Sequence, residues 1–167
     1  LGLENLHVMI NSLGDHDCRE KYKNALLDYL KPYFGSLSEE SQTRFTKNPL
    51  RILDSKDSKE RELLKSAPSI LDYLSPESKE HFKTLCKLLE KQKIPFTITP
   101  HLVRGLDYYN HTVFEITSDI LGAQNTIGAG GRYDGLLPEV GGPDLPCIGF
   151  STGIERILQT MQGQGIS

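Results

Sequence analysis

The chain has no tryptophan, two methionines and three cysteines in 167 residues. Cys18, Cys86 and Cys147 are odd in number, far apart and without a CxxC pair. That spacing supplies neither a disulfide framework nor a zinc-ligand pattern, and free thiols in a reducing compartment are expected. His7, His16, His81, His101 and His111 show no HExxH-type spacing, so no protein metal site is read from them. No apolar run is long enough to span a bilayer, and the opening residues LGLENLHVMI carry no basic n-region. A cytoplasmic protein without a membrane segment is therefore expected. There is no internal repeat, no low-complexity tract and no initiator methionine, which fits an internal fragment. A net charge of −3 does not advertise nucleic-acid binding.

The sharpest absence is local. Outside residues 15–95 there is no lysine, and the only cations are Arg104, Arg132 and Arg156 against eight acids. Residues 15–95 hold 16 of the 19 lysines and arginines, with 14 acids. A solvated surface mixes both cations, whereas arginine alone suits planar recognition of carboxylate or phosphate.

Texture divides the chain in the same way. The residues 5–11 alternate loosely as a strand. Residues 15–95 read as helices, with Tyr22, Leu26, Tyr29 and Leu30 near one face of the first. Ser38 is a plausible N-cap, and Asp57 with Glu60 makes a capping-box pattern. Ser75 and Pro76 open the clearest helix, with Phe82, Leu85 and Leu89 as its stripe. β texture returns with IPFTITPHLV and HTVFEITS, a turn at DILGAQ, and a second hairpin strand at NTIGAGG. RYDGLLPEV begins a short helix, LPCIGFS is a strand, and TGIERILQTMQ closes as a helix with Ile154, Ile157, Leu158 and Met161 inward. The expected fold is α+β, a mostly antiparallel sheet flanked by helices, with 1–14 and 96–167 as the core and 15–95 as a mainly α-helical insertion. That insertion, bounded by Gly14 and Pro95, is expected to be semi-independent.

Three glycine-and-arginine runs carry the chemistry. In LVRGLDYYN, residues 102–110, strand alternation would put Leu102, Arg104, Leu106 and Tyr108 on one face, and neither face is cleanly apolar. IGAGGRYDG places glycines at 128, 130, 131 and 135, where chain or ligand approaches closely, and does not have dinucleotide-fingerprint spacing. GFSTGIER places Gly153 and Arg156 where a strand passes into a helix, a junction that favours anions. Arg156 has a plainer alternative, an ion pair with Glu155 or Glu115. Together the runs suggest a pocket for a small zwitterionic or anionic ligand and a phosphate.

LVRGLDYYNHTVFEI, GAGGRYDGL and IGFSTGIERI resemble the two histidine-specific motifs and motif 3 of class II histidyl-tRNA synthetases. NPLRILDSKD resembles a segment of that family's helical insertion. The resemblance implies a six-stranded antiparallel catalytic sheet, a homodimer, and activation of L-histidine by ATP, with magnesium, before transfer to tRNA(His). It assigns Arg104 to the α-phosphate and the histidine carboxylate, as the catalytic residue. It assigns Tyr108 and Tyr109 to substrate histidine, Gly130 and Gly131 to the same pocket, and Gly153 and Arg156 to ATP, Arg156 at the γ-phosphate. Arg132 has no assigned role and is expected to pair with a carboxylate. Ser151 stands where motif 3 commonly has glycine. Motifs 1 and 2 and the anticodon-binding domain are missing, so the piece is expected to be inactive alone. The alternative is a non-catalytic histidine-sensing regulatory paralogue, against which Arg156 and the long insertion both count.

Overall fold

The computed structural model describes residues 1–122 and 125–166. β1 (Leu6–Ser12) leads into α1 (His16–Leu30), α2 (Glu39–Lys47), α3 (Ser58–Leu64) and α4 (Pro76–Lys91), with short 3-10 segments between them. The chain then returns to the sheet through β2 (Thr97–Ile98), β3 (Asn110–Ser118) and β4 (Thr126–Arg132). The short helix α5 (Leu136–Glu139), the strand β5 (Ile148–Thr152) and the helix α6 (Ile154–Gly163) complete it.

The α+β expectation matches the architecture, with one difference. The described sheet has five strands in the order β2-β1-β3-β4-β5 and is mixed, because β1 pairs with β2 in parallel and every other pair is antiparallel. The turn expected at DILGAQ begins as a 3-10 segment, Asp119–Leu121, and its last two residues lie outside the described ones.

Helix starts follow their capping chemistry. Asp15 accepts from the Cys18 N–H at 2.8 Å, Ser38 from Ser41, and Ser75 from Ser78. The Cys18 backbone bond leads the causes that lower the Asp15 carboxyl to about 2. Asp57 caps α3 through the N–H groups of Lys59 and Glu60. The reciprocal half of the capping box does not form. The Glu60 carboxylate turns inward, buried, and accepts from the Ser38 N–H, the Ser41 hydroxyl and the Ser55 hydroxyl.

Two sequence expectations are corrected. LVRGLDYYN is not a strand before Asn110, because its backbone bonds side chains and not a ladder. Asn11 Nδ2 donates to the carbonyls of Pro100 and Leu102 at 3.0 and 2.9 Å. Arg19 Nη1 donates to those of Asp107 and Tyr109 at 3.1 and 2.9 Å, and Asn48 bonds the Asp107 carboxylate. These partners satisfy an irregular backbone that would otherwise be costly beside the core. Leu102, Val103 and Tyr109 are buried, while Leu106 is exposed. In α6, Ile157 and Met161 are half-buried, but Ile154 and Leu158 are exposed. The helix packs on β4 and the Asp119–Leu121 turn beside the edge strand β5, which leaves part of its apolar face open, as it leaves Ile148 and Phe150.

One apolar core joins the helical block to the sheet. Tyr22, Leu26, Leu30, Ile52, Leu53, Leu64 and Ile70 from the block pack with Leu13, Leu102, Val103, Tyr109 and Val113. The shared core argues against semi-independence of residues 15–95. Leu26→Ala should therefore cost about 2–5 kcal/mol, the range for a buried leucine. Chemical denaturation should show helix and tyrosine signals moving together. Two separated transitions would mean that the block has a core of its own.

Candidate functional site

The irregular segment before β3 delivers Arg104 to a cleft of about 550 Å³. Its floor is β4, from Thr126 to Ala129, and its far side is the β5–α6 junction with Ser151, Gly153 and Arg156. Glu115 of β3 also lines it, as do Asp54 and Lys56 from the helical block.

The two arginines are tied into one network. Arg104 Nη1 donates to Glu115 Oε1 in a half-buried ion pair. Thr126 Oγ1 donates to the other oxygen of Glu115 at 3.4 Å, and the Thr126 carbonyl accepts from Arg156 Nη1 at 3.0 Å. Glu115 was one of two partners considered for Arg156, and its ion-pair partner is Arg104. Arg104 Nε is buried and makes no hydrogen bond among the described residues. A buried donor left unpaired costs about 1–3 kcal/mol.

Arg104 also borders a void of about 20 Å³ whose lining includes Tyr109 and Val103. Tyr109 also belongs to a ring cluster with Tyr108 and Tyr133, with centroids 4.6 to 6.0 Å apart. Burial foremost, and then the Tyr108 phenol, push the Tyr109 phenol above its ordinary pKa, and Arg104 pulls the other way. Tyr133, in the RYDG run, was not singled out from the sequence. Neither were Asp54 and Lys56, although the run that holds them was noticed.

Of the residues named from the sequence, Arg104, Gly153 and Arg156 share the cleft, while Tyr108 and Tyr109 do not line it and belong to the ring cluster. Gly130 and Gly131 are close-approach positions. A Cβ at Gly130 would lie 2.2 Å from the Gly149 carbonyl oxygen, and one at Gly131 would lie 2.6 Å from that of Thr112 and 2.9 Å from the Tyr109 ring. Gly128 and Ala129 form the cleft floor instead. Arg132 has the carboxylate partner expected of it, donating from Nε to both Asp134 oxygens at 2.9 and 2.7 Å. It lies in a separate cluster with His81 and His111, beside an apolar cavity of about 260 Å³. Burial first, then His81 and Arg132, lower the His111 pKa.

A family model described as histidyl-tRNA synthetase matches residues 10–157. The chain belongs to this family. The histidine–tRNA ligase of Protochlamydia amoebophila is 61% identical over 166 residues, which cover 99% of this chain and 39% of that protein. The ligase of Lacticaseibacillus casei is 53% identical over 98% of this chain and 39% of its own. The apo histidyl-tRNA synthetase of S. aureus superposes with a TM-score of 0.75 at 38% identity, over 99% of this chain and 40% of that one. The chain thus spans about two fifths of the histidyl-tRNA synthetase relatives it matches.

The described residues contain no group of three His, Cys, Asp or Glu side chains arranged to hold a metal ion, and no helix long and apolar enough to cross a membrane. In the cleft the Glu115 carboxylate is already engaged by Arg104 and Thr126.

The glycine contacts set an order of sensitivity. Gly130→Ala forces a methyl group into backbone and should destabilise by about 1–3 kcal/mol or more. Gly128→Ala meets the Thr152 methyl at 3.0 Å and should cost less. Denaturation midpoints of the two variants check the ranking.

Proposed function

We propose that this chain is the second half of a histidyl-tRNA synthetase catalytic domain, residues 1–14 and 96–167, with its helical insertion, 15–95. The parent protein is a ligase that activates L-histidine with ATP and transfers it to tRNA(His). It works as a cytoplasmic homodimer. The observation that carries the reading is the pairing of Arg104 and Arg156 on one cleft, with a buried Arg104 donor unbonded.

In the first step a carboxylate oxygen of histidine bonds to the α-phosphorus while the bond to the β-phosphate breaks. Pyrophosphate leaves, and no protein nucleophile is needed. Such displacement depends on positioning and charge neutralisation. Arg104, held by Glu115, faces the α-phosphate and the histidine carboxylate. Arg156 and Gly153, at the start of α6, take the terminal phosphates. Tyr108 and Tyr109 orient the substrate histidine, and Gly130 and Gly131 let β4 pack closely enough to hold their ring cluster. The regulatory alternative is less supported, because relatives at 53–61% identity over nearly the whole chain are named as ligases. The apolar edge at Ile148 and Phe150 is where the remaining sheet of the parent packs, and the isolated piece is expected to lack activity.

In the full-length protein, Arg104→Ala should lower histidine-dependent ATP–pyrophosphate exchange by about 100-fold or more, as removal of an oxyanion-type donor does. Tyr109→Phe should raise the KM for histidine more than that for ATP. Exchange driven equally well by another amino acid would overturn the assignment of substrate. Normal activity per folded Arg104→Ala molecule would reduce Arg104 to a structural ion pair.

A further inference from the structure

One wall of the arginine cleft comes from the helical block. Lys56 and Asp54 line the cleft with Arg104, Glu115 and Arg156. Three of the eleven other lysines of the block are held in ion pairs. Lys23, Lys65 and Lys83 each pair with a glutamate three residues earlier. Lys56 is exposed and makes no ion pair among the described residues.

The turn that carries Lys56 is fixed on both sides. Before it, the Ser55 N–H donates to the Ile52 carbonyl at 2.9 Å, and Ile52 is fully buried. After it, the Asp57 N–H donates to Ser55 Oγ at 3.2 Å, and Asp57 caps α3. The Ser55 hydroxyl in turn donates to Glu60. Glu60 is 3% exposed and has no cationic partner among its bonds, only the donors of Ser38, Ser41 and Ser55. Burial by itself would raise its pKa, and the serine bonds more than offset that, so the carboxyl sits below its ordinary value. A buried carboxylate therefore anchors the turn, and the Lys56 stem extends from an ordered backbone.

Charge gives Lys56 its consequence. The cleft holds three cations, Arg104, Arg156 and Lys56, against the carboxylates of Glu115 and Asp54. Without Lys56 the formal side-chain charges lining the cleft are two cations against two carboxylates, so Lys56 supplies its net positive charge. An ammonium on a flexible stem is a point charge suited to phosphate oxygens.

We infer that Lys56 contacts the polyphosphate end of the nucleotide, sharing it with Arg156, and that Glu60 is the positioning residue that holds Lys56 at the cleft. This rests on the ATP-dependent activation proposed above. It makes the helical block part of the nucleotide site. Binding of the nucleotide then depends on the docking of that block against the sheet.

The test uses the full-length protein, with Lys56→Ala, Lys56→Arg and Glu60→Gln. Calorimetry with ATP and with pyrophosphate reads binding directly, and pyrophosphate exchange reads turnover. Lys56→Ala should weaken both phosphate ligands about tenfold, as loss of a charged hydrogen bond does, and should change the KM for histidine less than about twofold. Lys56→Arg should recover most of the loss. Glu60→Gln should show the same pattern more weakly, with a lower melting temperature. Unchanged affinity for ATP and pyrophosphate in a folded Lys56→Ala protein would overturn the inference. So would a defect confined to the KM for tRNA, which would assign Lys56 to an RNA phosphate. A wild-type protein that binds ATP but shows no histidine-dependent exchange would sink the proposed reaction and leave the Lys56 result readable from calorimetry.

Discussion

The cleft depends on the ion pair between Arg104 and Glu115. Glu115 sits in the middle of β3, paired with β1 on one side and β4 on the other, so its backbone is among the most constrained in the sheet. Arg104 comes from irregular chain and would otherwise sample many positions. A half-buried ion pair contributes little net stability, because desolvation offsets much of the attraction. Its value here is positional. Through Thr126 the same carboxylate is linked to the backbone that Arg156 bonds, so two cations from distant parts of the chain are referred to one central strand.

The irregular segment explains where the sequence was readable and where it was not. Three helix starts could be located because capping is local, and the residues at Ser38, Asp57 and Ser75 are enough to specify them. The mixed character of residues 102–109 points to Arg104, which lines the cleft, and the assignment of this run as strand did not hold. The reason is tertiary. Asn11 and Arg19 lie far away in sequence and donate to the carbonyls of this segment, and Asn48 donates to the Asp107 carboxylate, which holds the chain off the ladder. No pattern within nine residues encodes that. The three lone arginines were visible from composition, yet only the fold separates Arg104 and Arg156, which share the cleft, from Arg132, which serves a local pair with Asp134.

Two other failures have the same origin. The periodicity of α6 marks four apolar positions without saying which have neighbours, and beside an edge strand two of them remain open. The Asp57–Glu60 spacing looks like a local capping device. In the fold Glu60 is drawn to three serines instead, which converts a helix-start signal into a buried anchor for the wall of the cleft. The core shared by the helical block and the sheet packs the block that carries that wall against the segment that carries Arg104.

The central claim is that Arg104, fixed by Glu115, is the group on which the reacting phosphate is placed. A crystal structure of the full-length protein with a non-hydrolysable histidyl-adenylate analogue tests it most directly. A phosphate or sulfamate oxygen is expected within about 3 Å of an Arg104 guanidinium nitrogen, with Glu115 still bonded to the other side. An analogue bound with its phosphate position away from Arg104, and Arg104 engaged only by Glu115, would contradict it.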